Sequence, residues 1–178
     1  MNKIIEGVKN MTLTKALISE IEHEAANTKK MLERVPADKF DWQPHPKSMT
    51  LKQLATHIAN LSGMTGKIIT TKNLDLADSS IKRPEINSTQ DLIKELEEGT
   101  SQTLNALRSV KDEDLNENWI MRRGDHIIID IPKAAAIRNM GLNHLYHHRA
   151  QLGMYLRLLD IPVPGMYGPS SDDKLQAK

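Results

Sequence analysis

Apolar residues recur along this chain at separations of three, four and seven, the spacing that lines one face of an α-helix. The first such stripe holds Leu13, Leu17, Ile21, Thr28, Met31 and Val35, and predicts a helix over residues 12–35 that Pro36 ends. A second stripe of Leu51, Leu54, Ile58, Leu61 and Ile68 predicts a helix from Thr50 to about Thr71. It opens on Thr50 with Gln53 three residues later. That pairing reads as a capping box, in which two side chains satisfy backbone N–H groups that the first turn leaves free. Ser88 and Asp91 repeat the device before a third stripe of Leu92, Leu96, Thr103, Leu104 and Leu107, which ends near Val110. The fourth stripe is the longest, running through Ile137, Gly141, His144, His148, Leu152, Tyr155 and Leu159. Pro132 suits its first turn, where a missing N–H costs nothing, and Pro162 forbids continuation. Roughly 28 residues at about 1.5 Å each make a helix of about 42 Å.

The connections carry different signals. Residues 36–48 hold three prolines and read as an ordered loop, and residues 75–87 read as a polar loop. Residues 119–130 place apolar runs on both sides of Gly124 and Asp125, the pattern of a β-hairpin. After Pro162 the chain packs proline and glycine and then becomes charged, so its end is expected to fray. The prediction is an all-α bundle of four helices with a small β-hairpin before the last. It forms one domain over residues 1–178, with a core at about 12–160 and a loop and tail at 161–178.

Composition narrows the function. The chain has 178 residues, enough to bury the core of one domain. Lys and Arg number 24 against 23 Asp and Glu, a formal net charge of +1. So balanced a chain has no bulk field to attract nucleic acid or an acidic membrane surface. There is no cysteine, which removes disulfides, thiolate metal sites and any protein thiol nucleophile. The start, MNKIIEGVKN, lacks a secretory signal pattern, and no run approaches the roughly 20 apolar residues that span a bilayer. The expected location is cytoplasmic. With 1 Phe, 2 Trp and 3 Tyr against 9 Met, the core is expected to be Leu, Ile, Met and Ala.

The candidate chemistry lies in the histidines. His144 and His148 are four residues apart, about 40° around a helix, so both rings leave the apolar face of the fourth segment. His57 lies on the Leu54, Leu61, Met64, Ile68 stripe of the second. Folding those faces onto one core brings three imidazoles together. Their lone pairs then need a partner, and a divalent ion is one, since neutral imidazole ligates zinc, nickel, copper and iron. Three protein ligands also leave an open coordination position. The residues alone leave open a second account, in which these are hydrogen-bonded core histidines or a surface pair.

Other residues carry weaker signals. His147 points about 100° away from its neighbours, towards another helix, an interface or solvent, with an outer-sphere or substrate role as the alternative. Tyr155 is near enough along the helix to line the same cavity. Glu24 could orient a ligand imidazole, against the plainer reading of a partly exposed helix glutamate. Arg149 and Gln151 leave other faces, where salt bridging or packing is expected. His45 and His126 sit in the loop and the hairpin, able to approach an ion but read first as surface residues. His23, beside Glu22 and Glu24, reads as solvated.

Four segments together resemble a known family. The run Asn143-His144-Leu145-Tyr146-His147-His148-Arg149-Ala150-Gln151-Leu152 resembles the signature of the DinB/YfiT-like metalloenzymes. Asp41-Trp42-Gln43-Pro44-His45-Pro46-Lys47-Ser48, Leu54-Ala55-Thr56-His57-Ile58 and Val163-Pro164-Gly165-Met166-Tyr167-Gly168-Pro169-Ser170 are similar to its other motifs, in the same order. The resemblance spans most of residues 12–170. It implies an up-down four-helix bundle, often a homodimer, with one divalent ion, zinc or nickel, on His57, His144 and His148. It further implies a small-molecule substrate and either S-transfer from a low-molecular-weight thiol, such as bacillithiol or mycothiol, or hydrolysis. The reacting group would be a metal-bound water or thiolate. A non-catalytic protein binding a metal or small ligand is the alternative, and a bundle whose histidines only hydrogen-bond is a third. The family's damage-inducible label concerns expression and implies no DNA binding.

Overall fold

In the computed structural model, residues 11–80 and 84–173 are described. The first ten residues lie outside that range, as do residues 174–178, on which the expectation of a fraying end falls.

Thr12 starts the first helix, its hydroxyl accepting from the Lys15 N–H at 3.3 Å. Helix α1 then runs Leu13–Leu32 and buries Leu17, Ile21, Thr28 and Met31, the predicted stripe, together with Glu24 and Asn27. Leu13 stays exposed. The helix stops short of Val35, whose N–H closes a tighter turn onto the Leu32 carbonyl. Pro36 is the cause, because it disfavours helical geometry in the residue before it. A short 3-10 turn, Ala37–Lys39, follows. The Leu51 and Lys52 N–H groups then reach back to the Trp42 and Phe40 carbonyls, seating the loop on the next helix.

Helix α2, Leu51–Leu61, carries the predicted Thr50–Gln53 capping box. It does not continue to Thr71. A break at Ser62 and Gly63 separates it from α3, Met64–Thr70. The break has an identifiable wedge. Thr103 donates its hydroxyl to the Ser62 carbonyl at 2.6 Å and accepts from the Gly66 N–H at 3.1 Å. A hydroxyl therefore stands where a direct helical bond would join those two groups, a recognised cause of kinking. Glycines let the backbones meet: a Cβ on Gly99 would lie 2.8 Å from the Gly63 nitrogen. Thr103 and Gly99 belong to α4, Thr89–Ser109, which has the predicted Ser88–Asp91 capping box.

The hairpin is present as β2, Asn118–Arg123, and β3, His126–Pro132, antiparallel and turning at Gly124 with φ +57°. A third strand, β1, Asn73–Asp75, joins β2 in parallel, giving the order β1-β2-β3. The expected helical fold with a small hairpin is thus a mostly helical fold in which a third strand extends that hairpin to a small sheet. Part of the segment read as polar loop is that strand's end. The sheet is held to the helices by Trp119, fully buried, whose indole N–H donates to Thr71 Oγ1 at 3.2 Å.

The last helical column is also interrupted. Pro132 ends β3 and precedes the short α5, Lys133–Ala136, instead of lying in its first turn. A seven-residue π-helical segment, Ile137–Asn143, then leads into α6, His144–Leu158. At Gly141 the segment comes so close to α3 that an added Cβ would collide with Thr65 Oγ1. Helices α2, α3 and α1 pack on α4, and α6 packs on α2 and α1. Two apolar clusters result. One joins α2 and α6 through Leu54, Ile58, Leu145 and Leu152; the other joins α3, the sheet and the π segment through Ile68, Trp119 and Ile137. Among the described residues, no helix is long and apolar enough to cross a membrane.

Candidate metal centre

The site lies where α2 meets α6. Burial of Leu54, Ile58 and Leu61 fixes the rotation of α2, and Leu145, Leu152 and Leu156 fix that of α6. His57, His144 and His148 lie at the edges of those buried stripes, each half-buried. Their ring centroids are 4.9 Å apart for His57–His144, 4.6 Å for His57–His148 and 4.7 Å for His144–His148. His57 Nε2 stands 3.2 Å from His144 Nε2, and one ring nitrogen from each of the three lies within 4.8 Å of the others.

These donors fit a single ion. Imidazole nitrogens bound at about 2.0–2.1 Å in a tetrahedral arrangement are separated by about 3.3 Å, close to the 3.2 Å between His57 and His144. Two of the donors are held in the ligating form. Burial, reinforced by His148 and His144 nearby, lowers the His57 pKa from 6.5 to about 4, so its lone pair is free at neutral pH. His144 is lowered too, first by burial and then by His148 and His147, with the Met140 carbonyl opposing. That carbonyl does not reach it at hydrogen-bonding geometry, and His144 Nδ1 is buried without a partner. Among the described residues, this is the one cluster of three or more His, Asp or Glu able to close on one ion.

The remaining candidates fall elsewhere. His147 is exposed, its ring 4.9 Å from that of His148. Tyr155 turns towards the residue 36–50 loop, donating its hydroxyl to the Met49 carbonyl at 3.2 Å and meeting Trp42 edge-on at 5.5 Å. Glu24 is not partly exposed but buried, and it pairs with the buried Arg149 at 2.6 Å. Tyr167 donates to the same carboxylate at 3.0 Å. Arg149 also donates to the Glu24 carbonyl and to Thr28 Oγ1, so the expected salt bridge clamps α6 to α1. His45 is exposed, its Nδ1 accepting from the Lys47 N–H, and His126 is exposed at the start of β3. His23 is exposed and bonded to Asn27. None of these three joins the cluster.

Gln151, read from the sequence as a salt-bridging or packing residue, instead meets the cluster. Its Oε1 lies 2.8 Å from His148 Nδ1, and its Nε2 lies 3.1 Å from His147 Nε2. The signal was available, since Gln151 follows His148 by three residues and His147 by four, the spacings at which helix side chains meet.

Comparison with known proteins follows the same lines. A model of the DinB family matches residues 9–176. The chain is similar in structure to a DinB-like protein from Bacillus cereus, with a TM-score of 0.68 and 22% identity over 88% of this chain and 98% of that one. A DinB-like protein from Bacillus subtilis gives a TM-score of 0.67 and 17% identity, over 87% of this chain and 99% of the other. At such identities the likeness is one of fold. No protein of curated function matches significantly.

Proposed function

Because the chain belongs to the DinB family, we propose that it is a divalent-metal-dependent enzyme acting on a small molecule, an S-transferase using a low-molecular-weight thiol or a hydrolase. The reading takes His57, His144 and His148 as ligands, zinc or nickel as the ion, and the helical columns as an up-down four-helix bundle that pairs as a homodimer. One observation carries it: three imidazoles from two helices converge within 4.8 Å, with no fourth protein ligand among the described residues. A divalent ion there would supply Lewis acidity to an oxygen or sulfur donor entering the open side. The chain's part is to hold the donors in fixed geometry, keep His57 and His144 deprotonated by burial, and exclude water behind them with Leu54, Ile58, Leu145 and Leu152.

The second reading is a metal- or ligand-binding protein without turnover. Elemental measurement on untagged protein tests the shared premise, with His144→Ala as control. Near-stoichiometric zinc or nickel is expected in the wild type and its loss in the variant; no metal in either leaves only hydrogen-bonded histidines. Turnover with a panel of thiols and electrophiles, abolished by chelation and restored by one metal, supports the enzyme. Tight binding without turnover supports the carrier. Light scattering tests the dimer.

A further inference from the structure

Nothing in a cluster of three imidazoles decides by itself which ring nitrogen carries the proton. A histidine ligates through Nε2 only in the tautomer protonated on Nδ1, and that choice is set by whatever meets the other nitrogen. Among the described residues, Gln151 is the one side chain outside the cluster that hydrogen-bonds one of its ring nitrogens. The amide has unlike ends. With Oε1 towards His148, at 2.8 Å from Nδ1, it accepts the Nδ1–H and leaves Nε2 free. Turned over, it would donate to Nδ1 and force the proton onto Nε2, which could then not ligate.

The opposite end of the amide meets a second imidazole. Gln151 Nε2 lies 3.1 Å from His147 Nε2, which can accept its N–H. His147 adjoins the cluster, 4.9 Å ring to ring from His148, yet supplies no atom to it. In the tautomer protonated on Nδ1, His147 accepts from the –NH2 end and keeps the oxygen facing in. We propose that Gln151 is the positioning residue of the site, fixing the His148 tautomer and ring orientation. The inference rests on the metal reading above and assigns a role to a residue that reading leaves idle.

The test uses the full chain, with and without cobalt(II). In metal-free protein, nitrogen-15 spectra of the imidazoles should report His148 protonated on Nδ1 in the wild type and in Gln151→Glu, whose carboxylate can only accept. Gln151→Leu should shift His148 towards the Nε2–H form. Cobalt(II) affinity, by competition against a chelator, should fall about 10- to 100-fold in Gln151→Leu, the loss usual for an outer-sphere partner of a ligand. It should return to at least the wild-type value in Gln151→Glu. Rescue by an acceptor of different charge is a result that a mere packing role does not produce. Wild-type His148 found protonated on Nε2, or Gln151→Leu binding cobalt(II) like the wild type, overturns the proposal. Equal loss in both variants overturns it too. Failure of the wild type to take up cobalt(II) instead defeats the metal reading, and the metal-free spectra still decide for or against Gln151.

Discussion

At the residue scale, the buried Glu24–Arg149 pair shows how a charge can be more necessary than stabilising. Both side chains are under a tenth exposed, and the guanidinium satisfies a carboxylate, a carbonyl and a hydroxyl of α1 at once. Removing one partner strands the other in a desolvated place. Arg149→Met is therefore expected to cost about 3–5 kcal/mol in urea denaturation, whereas adding Glu24→Gln should recover much of it. A double variant no more stable than the single one would contradict this. His57 makes a pH prediction. Its pKa falls from 6.5 to about 4 on folding, so between those values the unfolded chain binds the proton more readily. Stability of the metal-free protein should decline as pH drops through that window, and His57→Asn should flatten the decline. The same slope in both proteins would exclude His57 as its source.

At the element scale, the kink between α2 and α3 is governed by α4. Thr103 Oγ1 satisfies the Ser62 carbonyl and the Gly66 N–H together. Thr103→Val keeps the shape but leaves both backbone groups unpaired at a crowded crossing. A loss of about 2–3 kcal/mol is expected, while Thr103→Ser should retain most of the stability. Gly99→Ala tests the same crossing sterically, since its Cβ would press on the Gly63 nitrogen at 2.8 Å. Overpacking of that kind costs about 1–3 kcal/mol. Thermal unfolding of the three variants checks the set, and an unaltered Thr103→Val would show that the hydroxyl is not the wedge. The π segment has a related effect before α6. It takes the faces on either side of it out of α-helical register, so Ile137 packs on the sheet side while His144 turns to α2.

At the scale of the whole molecule, the candidate ligands come from two columns far apart in sequence. An ion shared between α2 and α6 would bind only the folded chain and so stabilise it. At a free concentration of about 100 times Kd the gain is about 2.7 kcal/mol. Zinc or nickel should raise the melting temperature of chelator-stripped protein, and the rise should vanish in His144→Ala. An equal rise in that variant would place the effect at another site.

What the amino-acid order determined by itself is what depends on near neighbours. Both capping boxes, the helical stripes, the Gly124 hairpin and the shared face of His144 and His148 each follow from residues a few positions apart. The motifs that pointed to the family are similarly local, and with them the three-histidine cluster was legible. The tertiary structure decided what depends on distant partners. Thr103 breaks a helix at Ser62, 41 residues earlier, whose own pattern runs on unbroken. Three-residue β1 is too short to show alternation and exists only because β2 pairs with it. Glu24 reads as a partly exposed residue until Arg149 arrives, and the Gln151 amide meets two rings at once. Local signals specify elements because their bonds close within a turn; kinks, buried charges and tautomers wait on groups that only folding brings near.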